Sequence, residues 1–406
     1  MCRNCCSKAK MVPELRKQFN ANFTPGKYAR FLRLLNEATG TTVPFRNAET
    51  PCFFPGPLME RMCLYGAELI HQLVDDPDYQ MKAAAAIPAE FNVPGDTGRP
   101  LFVQADFGLV RAADGGMEPR LVEIQGFPSL YAYQPVLARA YREAYDLPAN
   151  LDCLLSGLRA ESYEALLRQA ILGGRSPDNV ILMEVDPPAQ KTYADFVMTE
   201  RICGIRTISI SDIEKEGRRL YYRRDGRRQW IERIYNRAIV DELQRTGVRL
   251  KFDLRDDLDV EWAGHPNWYF RISKFSIPFL RHRCVPRAWF LDRLEQTPAD
   301  LENFVLKPLY SFAGRGVAIG PTGEDLERIP ERERGQYLLQ ERVAFEPVIE
   351  TPHGLTQAEV RIMYIWLDEL TPVAPLIRMG RGKMMGVDHN RELEWVGGSA
   401  GFTAPS

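Results

Sequence analysis

Apolar residues recur at helical spacing from Glu14 to Glu37, broken by Pro25-Gly26, and again over residues 56–75, so the chain opens with helices. Near residue 101 the period shortens. Leu101-Phe102-Val103 and Leu121-Val122-Glu123-Ile124-Gln125 read as strands, and Ala113-Asp114-Gly115-Gly116 between them has the chemistry of a hairpin turn. A helix is predicted from Tyr133 to Tyr145. Asn179 to Met183 is a short apolar strand, Tyr193 to Cys203 a helix and Thr207 to Ile210 another strand, an order that builds a parallel sheet with crossover connections. A hairpin around Arg224-Asp225-Gly226 leads into Ile231 to Tyr235, and residues 303–402 are again rich in strands and glycine. The pattern divides the chain into a helical region over 1–100, strands and helices over 101–170, an α/β unit over 171–250 and a second strand-rich region over 251–406.

With 45% hydrophobic and 26% charged residues among 406, the chain can bury a large core. Its 52 basic and 54 acidic residues leave a formal charge of −2, so no global field draws it to nucleic acid or an anionic membrane, and any anion site must be local. No apolar run reaches the length of a membrane span, and the start lacks a secretory signal, which reads as cytoplasmic. Cys52, Cys63, Cys153, Cys203 and Cys284 are scattered without Cys-x-x-Cys pairing, which fits a reduced chain. The Cys2, Cys5 and Cys6 cluster has no partner His nearby and reads as a frayed terminus. None of the five histidines has metal-ligand spacing, and only His389-Asn390 falls near the chemistry below. Cys284 sits among Arg281, Arg283 and Arg287, which would lower a thiol pKa without making it a nucleophile.

Four segments carry candidate chemistry. In Phe304-Val305-Leu306-Lys307 a strand delivers a lysine, and the following loop, Ser311 to Gly316, contains Gly314 and Gly316, where backbone amides could approach phosphate oxygens. It is not a Walker loop, and alone it equally describes a hairpin with an exposed lysine. Tyr337 to Val343 is an apolar strand ending in Gln340-Glu341, able to face an adenine edge or simply to be a buried strand. Trp268 to Lys274 places a second lysine before an apolar helix. On the strand Leu121 to Gln125, Glu123 and Gln125 are two apart and share a face, and Asp106 on the paired strand supplies a third oxygen, a set suited to magnesium.

Read in order, these segments resemble the ATP-grasp fold in the arrangement of eukaryotic-type glutathione synthetase and, more loosely, glutathionylspermidine synthase, in which the Glu-x-Asn magnesium motif lies toward the N-terminus. The similarity spans roughly residues 100–402. It implies an α/β (α+β) ATP-grasp fold with an inserted parallel-sheet substrate domain over 171–250, the metal-binding strands in 101–170, and the ATP-binding lobes with a glycine-rich lid in 251–406. Lys274 and Lys307 match the phosphate lysines, and Ser311, Gly314, Arg315 and Gly316 the lid. Gln340, Glu341 and Val343 match the adenine hinge, and Glu359 the acid near the nucleotide sugar. Asp106, Glu123 and Gln125 would hold Mg2+. Ser129, Arg237, Arg378, Gly397 and Gly398 would bind substrate, with Arg237, Arg378 and Lys307 as the catalytic groups.

The implied reaction is ATP-dependent ligation of a small-molecule carboxylate to an amine or thiol through an acyl phosphate, releasing ADP and phosphate. The implied cofactors are ATP and Mg2+, and a homodimer is compatible with the sequence. Gln125 stands for the usual Asn, Gln104 where the family often has arginine, and Ser311 where closer relatives carry a metal-binding acid. Those departures keep two rivals in view: an ATP-binding pseudoenzyme, and a phosphotransferase on the same fold.

Overall fold

The computed structural model describes residues 11–311, 314–382, 385, 390 and 392–404; the terminal cysteine cluster and His389 lie outside them. Among the described residues the architecture is mixed α/β with four sheets. The largest has the order β1 (Cys52–Phe54), β18 (Gly397–Thr403), β17 (Leu370–Gly380), β16 (Gly354–Trp366), β2 (Phe102–Arg111), β3 (Met117–Gln125), with β15 (Ile349–Thr351) paired to the start of β16. Only β1 runs parallel to its neighbour; the other pairs are antiparallel.

Alternation along these strands decides what each face does. Val103, Ala105 and Phe107 of β2 join Val360, Ile362 and Tyr364 of β16 and Ile377 and Met379 of β17 in an apolar layer, closed by Leu58, Met62, Tyr65 and Leu69 of α3 (Gly56–Val74). α4 (Pro77–Ala85) follows α3 and buries Tyr79 and Ala83. The in-between residues Gln104, Asp106, Glu359, Arg361 and Arg378 lie on the opposite face. Part of that face is covered by α5 (Tyr133–Tyr145), α1 (Pro13–Asn22) and α2 (Pro25–Thr39), through Phe19, Phe31, Leu35, Leu137 and Tyr141. The strand at Cys52–Phe54 was not foreseen in the helical opening region.

A second, parallel sheet has the order β10 (Glu261–Ala263), β9 (Arg233–Asn236), β4 (Val180–Glu184), β5 (Arg206–Ser209), and its helices include α6 (Ala160–Leu172), α7 (Tyr193–Cys203) and α8 (Val240–Thr246). Beside it lies an antiparallel ribbon of β6 (Glu214–Glu216), β7 (Arg219–Arg224) and β8 (Arg227–Ile231). Its two-residue turn puts Asp225 and Gly226 at positive φ, 49° and 75°, as the Asp-Gly pair requires. The fourth sheet, antiparallel, has the order β11 (Ala288–Phe290), β14 (Tyr337–Glu341), β12 (Phe304–Pro308), β13 (Ala318–Ile319). After Lys274 the expected apolar helix is a 3-10 segment, Lys274–Phe279, with Pro278 inside it. Proline lacks the amide that an α-helix would use there.

A shared apolar core joins the parallel-sheet unit to the main sheet, and one buried carboxylate ties α7 to the start of α5. Asp195, in the first turn of α7, accepts from Arg237 Nη1 at 2.6 Å and from the backbone amides of Leu130, Ala132 and Tyr133 at 3.2, 2.9 and 3.0 Å. Burial works against the Arg237 charge, but Asp195, Tyr235 and Glu184 outweigh it and hold the guanidinium above its ordinary pKa. Replacing Asp195 by Ala would strand a buried cation and three amides. Its cost to stability is expected to be on the order of 3–5 kcal/mol, read from urea unfolding. Gly66→Ala tests the α3 packing, because a Cβ there would stand 2.1 Å from the Tyr364 hydroxyl. Overpacking of about 1–3 kcal/mol should exceed the roughly 1 kcal/mol gained in helix propensity, so the variant unfolds at lower urea than the parent.

Candidate functional site

The polar face of the main sheet forms the floor of a cavity of about 740 Å³, and the β11–β14 sheet forms its roof. On β12, Phe304 and Leu306 turn into that sheet's own core while Val305 and Lys307 turn into the cavity. Lys307 is 8% exposed, and its ammonium donates to Gln340 Oε1 at 2.6 Å and, more weakly, to Val122 O at 3.4 Å. Both partners are neutral. Burial lowers the Lys307 pKa to about 8, the pull of Glu123 notwithstanding. Lys274 reaches the same space from another direction and donates to Ser311 O at 2.6 Å.

Two glycines set how closely the flanking segments approach. A Cβ on Gly126 would stand 2.5 Å from Trp268 O, so only glycine lets the end of β3 lie against the helical turn Trp268–Arg271 that leads to Lys274. The Gly126 amide donates to Ile272 O at 2.8 Å. Gly108 of β2 plays the same part for the other rim: a Cβ would stand 2.7 Å from Val343 and 2.9 Å from Phe345. Residues 342–345 leave the β14 ladder and line the cavity mouth.

On the floor, Glu123 and Gln125 do share a face, and the Gln125 amide donates to the Glu123 carboxylate. Burial alone would raise the Glu123 pKa, but Lys274, Lys307, Arg361 and Arg378 together pull it well below the usual carboxylate range. Glu359 shifts the other way: burial, reinforced by Asp106 and Glu123, outweighs its contact with Arg378.

Asp106 requires a correction as a magnesium ligand. Its two oxygens accept from Arg361 Nε and Nη2 at 2.6 Å each, and one also accepts from Arg378. A fully buried carboxylate so engaged neutralises arginines, and Asp106 is not among the residues lining the cavity. Arg361 is the residue that sequence reading missed. Its signal was its place two residues after Glu359 on one strand. It also donates to Gln104 Oε1 at 2.9 Å, so a guanidinium from β16 stands beside the position where the resemblance expects one.

The structure brings Glu123, Gln125, Ser129, Lys274, Lys307, Ser311, Gly314, Gln340, Glu341, Val343, Glu359, Arg378 and Gly398 to this one cavity. Five others lie elsewhere. Arg237 is 4% exposed, is committed to Asp195 and is not among the residues lining the cavity. Arg315 pairs with Asp241 of α8, and Gly316 packs on Pro308. Gly397, at φ +122°, lies against Arg46 O; Asp106 lies beneath its arginines. Among the described residues Cys284 is no nucleophile: it is fully buried, and burial pushes its thiol up to about 12.

Seven cationic side chains and three carboxylates line the cavity among the described residues, an imbalance that suits a polyanion. No group of three or more His, Cys, Asp or Glu arranged to hold a metal occurs among them. Glu123, Gln125 and Glu359, the last also paired with Arg378, are cavity oxygens that could serve a hard cation, with ligand phosphates and water completing its shell. No helix among the described residues is long and apolar enough to cross a membrane.

No family profile and no curated protein matches the chain. Among solved structures it is similar to a glutathione synthetase-like effector from Globodera pallida in its apo form, with a TM-score of 0.58, 11% identity, and 95% of this chain and 99% of that chain covered. At such identity the likeness concerns the fold alone, and the fold is glutathione synthetase-like.

Proposed function

We propose that the protein is an ATP-grasp ligase, which uses ATP to activate a carboxylate as an acyl phosphate and passes the acyl group to an amine or thiol. The observation that carries this reading is Lys307, a buried ammonium whose hydrogen-bond partners among the described residues are neutral, in a cation-rich cavity. Such a charge is costly until an anion joins it. Lys274 and Lys307 would hold the phosphates, residues 340–343 the adenine, and Glu123, Gln125 and Glu359 the magnesium. When bound, magnesium supplies charge neutralisation between the phosphate oxygens. Arg378 orients the carboxylate and meets the oxyanion that forms when the nucleophile adds. Phosphoryl transfer needs mainly such positioning and electrostatics.

The commitment of Asp106 to arginines favours a second reading, a nucleotide-binding protein without turnover, since it removes one carboxylate from the metal set. Both readings require Mg-ATP to raise the melting temperature. ADP release that needs both an acid and a nucleophile supports the ligase; stabilisation by Mg-ATP with no turnover on any acid supports the second reading.

Lys307→Met should weaken Mg-ATP binding roughly ten- to a hundredfold, the loss of one charge-assisted contact, as measured by calorimetry. Unchanged affinity would remove the lysine from the phosphate site. The free protein's Lys307 titrates near 8 and a bound polyanion raises that value, so binding takes up a proton at higher pH. Affinity should therefore fall above pH 8, by up to about tenfold per pH unit, and Lys307→Met should remove that fall.

A further inference from the structure

The cavity has two ends of different character. One is formed by β12, β14 and residues 342–345, where the nucleotide is placed above. The other lies against α5, β17 and β18 and is lined by Phe45, Leu130, Tyr133, Leu137 and Leu376. The Phe45 and Tyr133 rings meet edge to face with centroids 5.6 Å apart. A Cβ on Gly398 would touch the Phe45 ring at 3.4 Å, and Gly398 is the register partner of Arg378. Leu376 and Arg378, two apart on β17, point to the same side. The apolar wall therefore begins one residue row away from the arginine.

Tyr133, Gln134, Ser399 and Thr192 on this wall are engaged within the protein, while Lys191, beside Thr192, also lines the cavity. The Tyr133 hydroxyl donates to Asn47 Oδ1 at 2.9 Å, and Gln134 Nε2 donates to Pro375 O and Ser399 O at 3.1 and 3.0 Å. Ser399 Oγ donates to Thr50 O at 2.7 Å, and Thr192 Oγ1 accepts from Arg237 at 3.5 Å. The start of α5 would ordinarily attract an anion, yet its amides at Ala132 and Tyr133 are given to Asp195. A polar ligand group placed on this wall would lose water and gain little. Arg378 is different: it lines the cavity with its side chain 24% exposed, and its ion pairs with Asp106 and Glu359 both use Nη2.

We infer that the acid taken by this site carries an apolar side chain, aliphatic or aromatic, seated on Phe45 and Leu130, with Tyr133, Leu137 and Leu376 packed behind them, and its carboxylate at Arg378. The reaction assigned to that acid rests on the ligase reading; its binding does not. In the reaction a carboxylate oxygen attacks the γ-phosphorus and the bond to the ADP oxygen breaks. The nucleophile's electron pair then displaces phosphate from the acyl carbon, and its proton goes to solvent.

The test uses the full chain with Mg-ADP and four probe acids, 3-phenylpropionate and hexanoate against succinate and glutamate, with affinity read by calorimetry. The apolar pair should bind at least about tenfold more tightly than the polar pair. Phe45→Ser should lower apolar affinity by about tenfold and Phe45→Leu should restore most of it, while both variants keep the parent's thermal shift with Mg-ATP. Equal or tighter binding of the polar acids, or apolar affinity indifferent to Phe45→Ser, overturns the inference. Mg-ATP and hydroxylamine added to the bound acid separate the two levels: hydroxamate formed in step with ADP supports the ligase. Apolar binding without hydroxamate overturns the ligase reading and leaves the pocket assignment standing.

Discussion

Asp106 is the buried charge on which the floor of the cavity depends. It comes from β2, while the two guanidiniums it holds come from β16 and β17, so one carboxylate ties three adjacent strands together at the same level. Without it Arg361 would be left as a buried cation with no carboxylate on its guanidinium, among the most costly features a fold can carry. Arg378 in turn contacts Glu359, and Arg361 reaches Gln104. The polar face of the main sheet is thus a connected lattice, with each member fixed by the next.

That lattice separates the two carboxylates nearest the lysines. Glu123 lies closest to the combined field of Lys274 and Lys307 and is held firmly ionised, whereas Glu359, more influenced by burial and neighbouring acids, gives up its proton less readily. Groups of one chemical type thereby acquire different behaviour from position alone. The lysines remain under-compensated, and the cavity as a whole is left short of negative charge.

Local features were legible in the chain. The helix at Tyr133–Tyr145, the hairpin turn at Asp225-Gly226 and the lysine at the end of β12 follow from periodicity and turn chemistry, which act over a few residues. What could not be read were pairings between distant segments. Asp106 looked like a metal ligand because its partner Arg361 is 255 residues away. Arg237 looked like a substrate ligand because nothing in Ile234-Tyr235-Asn236 announces that Asp195 will reach it from α7. The strand at Cys52–Phe54 forms only because Gly401, Phe402 and Thr403 arrive beside it at the other end of the chain. Glycine was the partial exception: Gly108 and Gly126 stand out in the sequence beside the candidate acids, although only packing reveals what each accommodates.

Those two glycines lie on opposite strands of one hairpin, 102–126. Near one, the ribbon is clasped by residues 343–345; near the other, by the segment that ends in Lys274. The hairpin therefore works as a caliper whose jaws are packed shut, and the spacing between mouth and floor is a dimension of the ribbon itself. Any widening to admit or discharge a molecule has to come from elements that the ribbon does not grip.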